Sequence, residues 1–237
     1  MSRQLLVEEI HTFYGTSHIL FGISLAVNAG ECVCLLGRNG VGKTTTLKSI
    51  IGLVPPRQGK ITYDVHSLVG LAPYDIARLG IGYVPDERLI FPDLTVRENL
   101  EIAAKRPLAG GGEAWTIERI YGLFPNLRSL DDHKGGYLSG GEQQMLTMGR
   151  TLMGNPTLML LDEPVEGLAP VIVNQITDQI RHLKELGLSI LFAEQNIKFA
   201  VEVSDRGYII EGGQVRYEGT ISDLEEKPEI KQKYLMI

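Results

Sequence analysis

Residues 37–45 read Gly-Arg-Asn-Gly-Val-Gly-Lys-Thr-Thr and satisfy the phosphate-loop spacing G-x-x-x-x-G-K-[ST] at Gly37, Gly42, Lys43 and Thr44. Glycines at these positions let backbone N–H groups crowd around phosphate oxygens, so Asn39, Gly40 and Thr45 join them in a cradle for a nucleoside triphosphate. Lys43 can place a mobile charge between the β and γ phosphates, and the Thr44 hydroxyl can ligate Mg²⁺. The flanks suit the chemistry: Glu31 to Leu36 is a short apolar run of the kind that makes a buried strand, and Lys43 to Ile51 can form a helix whose positive end faces the anion. A dinucleotide fingerprint is excluded, because G-x-G-x-x-G read from Gly40 needs glycine where Thr45 stands.

Further along, residues 138–144 read Leu-Ser-Gly-Gly-Glu-Gln-Gln, and Leu158-Met159-Leu160-Leu161 runs into Asp162-Glu163-Pro164. On these three motifs in this order, over residues 3–220, the chain resembles the ABC-type ATPase family. The resemblance implies ATP and Mg²⁺ as cofactors and an α/β fold: a P-loop NTPase core with a parallel sheet, an N-terminal antiparallel β subdomain, and an inserted helical subdomain at about 86–135, all within one domain spanning 1–237. It also implies that the helix opened by Ser139, Gly140 and Gly141 meets the γ-phosphate held by a second ATPase subunit, in a homodimer or a heterodimer with two shared sites. The same segment has a plainer reading, since Ser139-x-x-Glu142 is a capping box and Met145, Met148 and Leu152 form an apolar stripe; both readings can hold together. Asp162 ends an apolar strand, where a carboxylate can hold Mg²⁺ through water, and Glu163 beside it is the expected general base. Tyr14 stands where the family supplies an adenine-stacking ring, although neighbouring Phe13 leaves packing as the alternative.

Composition points to a water-soluble engine. The chain has 237 residues, 43% hydrophobic, with a formal net charge of −6, enough for a sizeable core in one domain. An acidic pI near 5.4 with no Lys/Arg block lacks the footprint of a nucleic-acid binder. No apolar stretch approaches the ~20 residues of a membrane span, and MSRQLLVEEI is acidic where a signal peptide is apolar. The expected location is therefore cytoplasmic, peripheral to the inner face of the cell membrane. Cys32 and Cys34, at i and i+2 of a strand, are expected to be buried core rather than metal or redox groups.

The elements that must position these residues follow from patterning. Strands are expected at Leu5–Ile10 and Ile19–Val27, the latter alternating as in a half-solvated antiparallel sheet, then at Ile61–Tyr63 and Ile81–Val84. Helices are expected at Pro73–Leu79, from the Thr95-x-x-Glu98 capping box to about Ala104, and from Ala114 to Phe124, with Gly110-Gly111-Gly112 a flexible loop. Strand 158–162, helix 170–186, strand 188–193, helix 196–203 and a hairpin at Gly212-Gly213 complete the chain. Strands alternating with helices imply a parallel sheet wrapped on both faces.

Three places depart from the commonest family pattern. Pro85-Asp86-Glu87 stands where many relatives carry Gln as a Mg²⁺ and water contact; Asp86 can ligate a hard cation, and Glu87 is the alternative. Gln195 stands where many relatives have His, and can donate to a γ-phosphate but cannot carry a proton. Ala169 replaces a frequent Asp. With Phe91-Pro-Asp-Leu-Thr-Val-Arg-Glu-Asn-Leu100, Glu166-Gly-Leu-Ala-Pro170 and Ala193-Glu-Gln-Asn196, these features resemble the shorter ATPase subunit of bacterial branched-chain, or hydrophobic, amino-acid importers. That implies permease subunits as direct partners and a periplasmic binding protein as an indirect one. Urea/amide importers and a lipopolysaccharide exporter are similar; a soluble assembly-type ATPase and a non-hydrolysing regulator are the readings of another class, the latter opposed by an intact Glu163. Phe91, Trp115, Tyr121 and Phe124 either dock a permease helix or only pack the subdomain.

Overall fold

The computed structural model describes residues 4–107 and 113–226, so the Gly110–Gly112 expectation lies outside the described residues. A four-stranded antiparallel sheet is made by β1 (Leu5–Tyr14), β2 (Ser17–Val27), β4 (Gln58–Tyr63) and β5 (His66–Ser67), in the order β2-β1-β4-β5. A six-stranded sheet contains β3 (Cys32–Leu36), β6 (Ile81–Val84), β7 (Leu158–Asp162), β8 (Ser189–Glu194), β9 (Arg206–Glu211) and β10 (Gln214–Thr220), in the order β10-β9-β3-β8-β7-β6. All its pairings are parallel except the closing β9–β10 hairpin.

Alternation along β3 divides the core. Val33 and Leu35 face a cluster that includes Leu5, Val7, Ile10, Ile23, Leu25 and the helix α1 (Lys43–Ile50), whereas Cys32, Cys34 and Leu36 face α6 (Gly140–Met153), α7 (Pro170–Glu185) and α8 (Ile197–Val203). The parallel sheet is thus covered on both faces, but on one of them by α1 and the antiparallel sheet rather than by helices alone. The cysteines are fully buried in that second cluster, and burial pushes the Cys34 thiol up to about 12, so they are inert packing groups as expected.

The helices between β6 and α6 are α3 (Val96–Glu101), α4 (Ile117–Leu123) and α5 (Pro125–Ser129), while α2 (Pro73–Arg78) precedes β6 and α9 (Ile221–Glu226) follows β10. The α3 capping box forms as expected, with the Glu98 N–H donating to Thr95 Oγ1 and the Thr95 N–H to Glu98 Oε2. The helix ends at Glu101 rather than near Ala104, because Ala103 N–H tightens onto Leu100 O and Lys105 N–H leaves for Met153 O. Similarly, Thr116 caps α4, so that helix opens at Ile117 rather than Ala114. Of the four rings in this region, Tyr121 and Phe124 are buried and pack the core, whereas Phe91 is 44% exposed with Arg150 stacked over it at 4.5 Å.

Candidate functional site

In a parallel sheet every strand ends at the same edge, and loops from those ends converge there. The loop after β3 is the phosphate loop, Asp162 ends β7, Gln195 follows β8, and Asp86 follows β6. The phosphate loop closes on Gly42, the N-cap of α1, whose φ of 111° suits glycine; a Cβ there would lie 2.7 Å from Leu20 Cδ2. The turn is locked by Thr46, whose N–H and hydroxyl both donate to Gly42 O at 2.9 Å. Asn39 and Gly40 remain exposed, and Thr45 is buried under the loop.

Lys43 is 3% exposed and folded back. Its Nζ donates to Gly37 O at 2.9 Å and Arg38 O at 3.1 Å, and pairs with Glu163 Oε1 at 3.1 Å. A phosphate would therefore compete for a cation that now occupies two carbonyls and one carboxylate.

Beside it, the Thr44 hydroxyl donates to Asp162 Oδ1 at 2.9 Å and the Tyr83 hydroxyl to Asp162 Oδ2 at 3.1 Å. Asp162 is fully buried, and that burial, helped by the charges of Asp86 and Glu163, pushes its carboxyl up to about 6 despite the two hydroxyls. A buried carboxylate raised in this way favours a cation neighbour. Asp86 is exposed near it, while Glu87 leans toward Lys48 at 3.8 Å, so Asp86 is the better-placed of the two candidates. Among the described residues no group of three His, Cys, Asp or Glu forms a metal cage. One hydroxyl and two carboxylates fit Mg²⁺, which keeps waters and takes phosphate oxygens rather than a full set of protein ligands.

Glu163 adopts φ 45°, an uncommon conformation for a side-chain-bearing residue, and its N–H is fastened to Ala193 O at 3.0 Å. The turn brings Glu166 back onto it: a hydrogen bond between the two side chains, with a smaller contribution from burial, pushes the Glu166 carboxyl up to about 7. Glu194, 1% exposed, accepts the N–H groups of Gln195 and Asn196 on Oε2, each at 2.9 Å, and so shapes the turn that aims Gln195 outward. Gln195 lines a cavity of about 640 Å³ with Gly37, Arg38, Asn39, Val41 and Glu211, directly across the phosphate loop. Tyr83 and Glu166 escaped the sequence reading; a parallel register pairing Tyr83 with Leu160 is the signal that places its hydroxyl near the end of β7.

Four expected site residues, in two places, lie apart from this cluster. Ser139 caps α6, accepting the Glu142 N–H at 3.4 Å while Glu142 Oε2 accepts the Ser139 N–H at 2.7 Å; Ser139 itself is exposed. Gly141 is forced by packing, since a Cβ would lie 2.9 Å from Ile172 Cγ2, and a Cβ at Gly140 would lie 2.6 Å from Arg88 Nη1. Among the described residues no hydrogen bond or ion pair joins this helix end to the phosphate loop. Tyr14 ends β1, 46% exposed, whereas Phe13 is stacked between His18 and Arg57. Phe13 is thus the packing ring and Tyr14 the one left open.

A family model described as ABC transporter matches residues 20–166. The high-affinity branched-chain amino acid transport ATP-binding protein BraG of Pseudomonas aeruginosa is 38% identical over 231 residues, covering 98% of this chain and 99% of that one. The lipopolysaccharide export system ATP-binding protein LptB of Haemophilus influenzae is 35% identical over 98% of this chain and 96% of its own. Among solved structures, the ADP conformation of an ATP-binding cassette of an ABC transporter superposes with a TM-score of 0.80 at 27% identity, covering 97% of each chain.

Proposed function

Because the chain belongs to the ABC transporter family, as an ATP-hydrolysing, energy-coupling subunit, we propose that it drives import of branched-chain or other hydrophobic amino acids through a membrane permease. Supporting the substrate class is the 38% identity to BraG across essentially both chains. Supporting the chemistry is the convergence of Lys43, Thr44, Asp162, Glu163 and Gln195 at one sheet edge. The subunit works on the cytoplasmic face of the permease; no helix among the described residues is long and apolar enough to cross a membrane.

Incoming β and γ phosphates draw Lys43 off Gly37 O and Arg38 O, and take the place of its ion pair with Glu163. Thr44, Asp162 and Asp86 would hold Mg²⁺, which neutralises charge on the phosphate oxygens. Glu163, no longer held by the lysine, accepts the proton of the attacking water, and Gln195 donates its amide to the γ-phosphate or steadies that water. The adenine stacks on Tyr14. Ser139 and the α6 N-terminus of a second ATPase subunit, a copy or a homologue, close over the γ-phosphate, so two head-to-tail chains share two sites. Closure on ATP and reopening after hydrolysis move a permease helix docked on the 86–135 region, where Phe91 is exposed.

The test is uptake of labelled leucine, isoleucine and valine by cells lacking the chain, with proteins that copurify from native membranes identified. Uptake should be lost, and should return with wild type but not with Lys43→Ala. Intact uptake with a failing outer-membrane lipopolysaccharide supply would favour the second reading, which rests on the 35% identity to LptB.

A further inference from the structure

Arg88 combines an uncommon backbone conformation with a charge that has no acidic partner among the described residues. Its backbone takes φ 48°, a left-handed conformation that a long side chain adopts only when its surroundings impose it. The half-buried side chain runs to the start of α6, where Nη1 occupies the space a Cβ at Gly140 would need, 2.6 Å from it. Its one hydrogen bond among the described residues goes from Nη2 to Glu166 O at 2.9 Å, and none of those residues forms an ion pair with it. Glu142, Glu87 and Glu166 are committed elsewhere, Glu142 to the Ser139 N–H, Glu87 toward Lys48, and Glu166 to Glu163. A cation therefore stands beside the positive end of a helix, where an anion is favoured and a cation is not. The arrangement wastes charge in an isolated chain and becomes favourable once a multiply charged anion arrives at the same place.

We propose that Arg88 is a phosphate-binding group of the signature half-site, a guanidinium that, beside Ser139 and the N–H groups of α6, contacts in trans the γ-phosphate held by a second copy of this chain. The inference rests on the shared-site reading above and adds a side-chain cation to it. Glu166 O accepts from Nη2, and the planar, permanently charged group carries further donors beyond that bond. The loop that bears Asp86 thus reaches one nucleotide through Asp86 and the other through Arg88.

Mixing inactive variants separates a role in trans from one in cis. Arg88→Ala should keep monomer affinity for ATP within about twofold yet lower hydrolysis by at least about tenfold, the direction expected for an arginine acting on a transferred phosphoryl group. Arg88→Lys should recover part of that loss. Lys43→Ala protein retains Arg88, and Arg88→Ala protein retains a working phosphate loop, so their equimolar mixture should hydrolyse ATP well above either alone. Lys43→Ala mixed with Ser139→Arg is the control and should regain activity in the same way. If the control regains activity and the Arg88→Ala mixture does not, the shared site stands and Arg88 does not act across it. If neither regains activity, the shared-site reading fails and the inference falls with it. Full hydrolysis by Arg88→Ala alone overturns the proposal outright. Should the alanine variant fold poorly, Arg88→Gln enters the same mixture.

Discussion

The two ends of this chain that bear on ATP are built in opposite ways. At the phosphate loop the central charged groups are made in advance and shut away: Lys43 and Asp162 are buried, Thr44 and Tyr83 already grip the aspartate, and Lys43 already holds Glu163. At the signature end Ser139 is exposed, its cap is complete, and an unneutralised arginine stands beside it. A buried cluster of charges is stable only if its members satisfy one another, which is why the phosphate-loop end is self-contained without nucleotide. An exposed helix end with spare positive charge gains by meeting an anion from outside. On the shared-site proposal, one chain carries a lock that is closed on itself and a key for a different copy.

The comparison can be broken most forcefully at Glu163. Glu163→Gln keeps size and hydrogen bonding but removes the base, so turnover should fall about 10²–10⁴-fold while ATP still binds. Steady-state hydrolysis beside calorimetry decides it, and unchanged turnover removes Glu163 from the role. Next is Gln195. Gln195→Ala should lower turnover by up to about 10²-fold with ATP affinity nearly intact, and Gln195→Glu should be worse because a donor becomes an acceptor of the phosphate's own sign. Full activity in both would leave Gln195 a bystander.

A smaller effect sharpens the buried side of the contrast. Asp162 has a carboxyl raised from 3.8 to about 6. A raised acid pKa favours the folded state while the group is protonated, so the nucleotide-free, magnesium-free chain should lose stability as pH climbs from about 4 through 6, by an amount on the order of 1–3 kcal/mol. Urea denaturation at both ends of that window should show the slope shrink in Asp162→Asn; an equal slope in both proteins contradicts the assignment. Tyr14 is at the low end. Tyr14→Ala should weaken ATP binding by about 1–3 kcal/mol, as loss of a base-stacking ring does elsewhere, whereas Phe13→Ala should act on stability instead. Calorimetry showing equal ATP affinity for wild type and Tyr14→Ala would make Tyr14 a mere surface ring.

What could be read from the sequence was whatever lies contiguous in the chain. The phosphate loop, the Ser139 and Thr95 capping boxes, strand 158–162 and the burial of Cys32 and Cys34 all depend on local spacing, and each appears in place. Features that depend on distant partners were missed. β1 runs on to Tyr14 because β2 and β4 pair with it past the irregularities after Val7 and Glu8, which no periodicity within β1 announces. The lean of Glu87 toward Lys48 depends on a partner distant in the chain, and the Tyr83 grip on Asp162 on strand register. Only the fold brings Arg88 to Gly140, and Gly141 acquires a packing reason, Ile172, that the motif alone does not disclose.

The claim that binds the two ends together is that the site is completed by a second copy, and light scattering tests it most directly. With Glu163→Gln as the background and saturating MgATP, the chain should run at the mass of a dimer, and adding Ser139→Arg should return it to a monomer while calorimetry shows ATP binding unchanged. A dimer that forms equally well with Ser139→Arg, or a Glu163→Gln protein that stays monomeric with ATP bound, would contradict it.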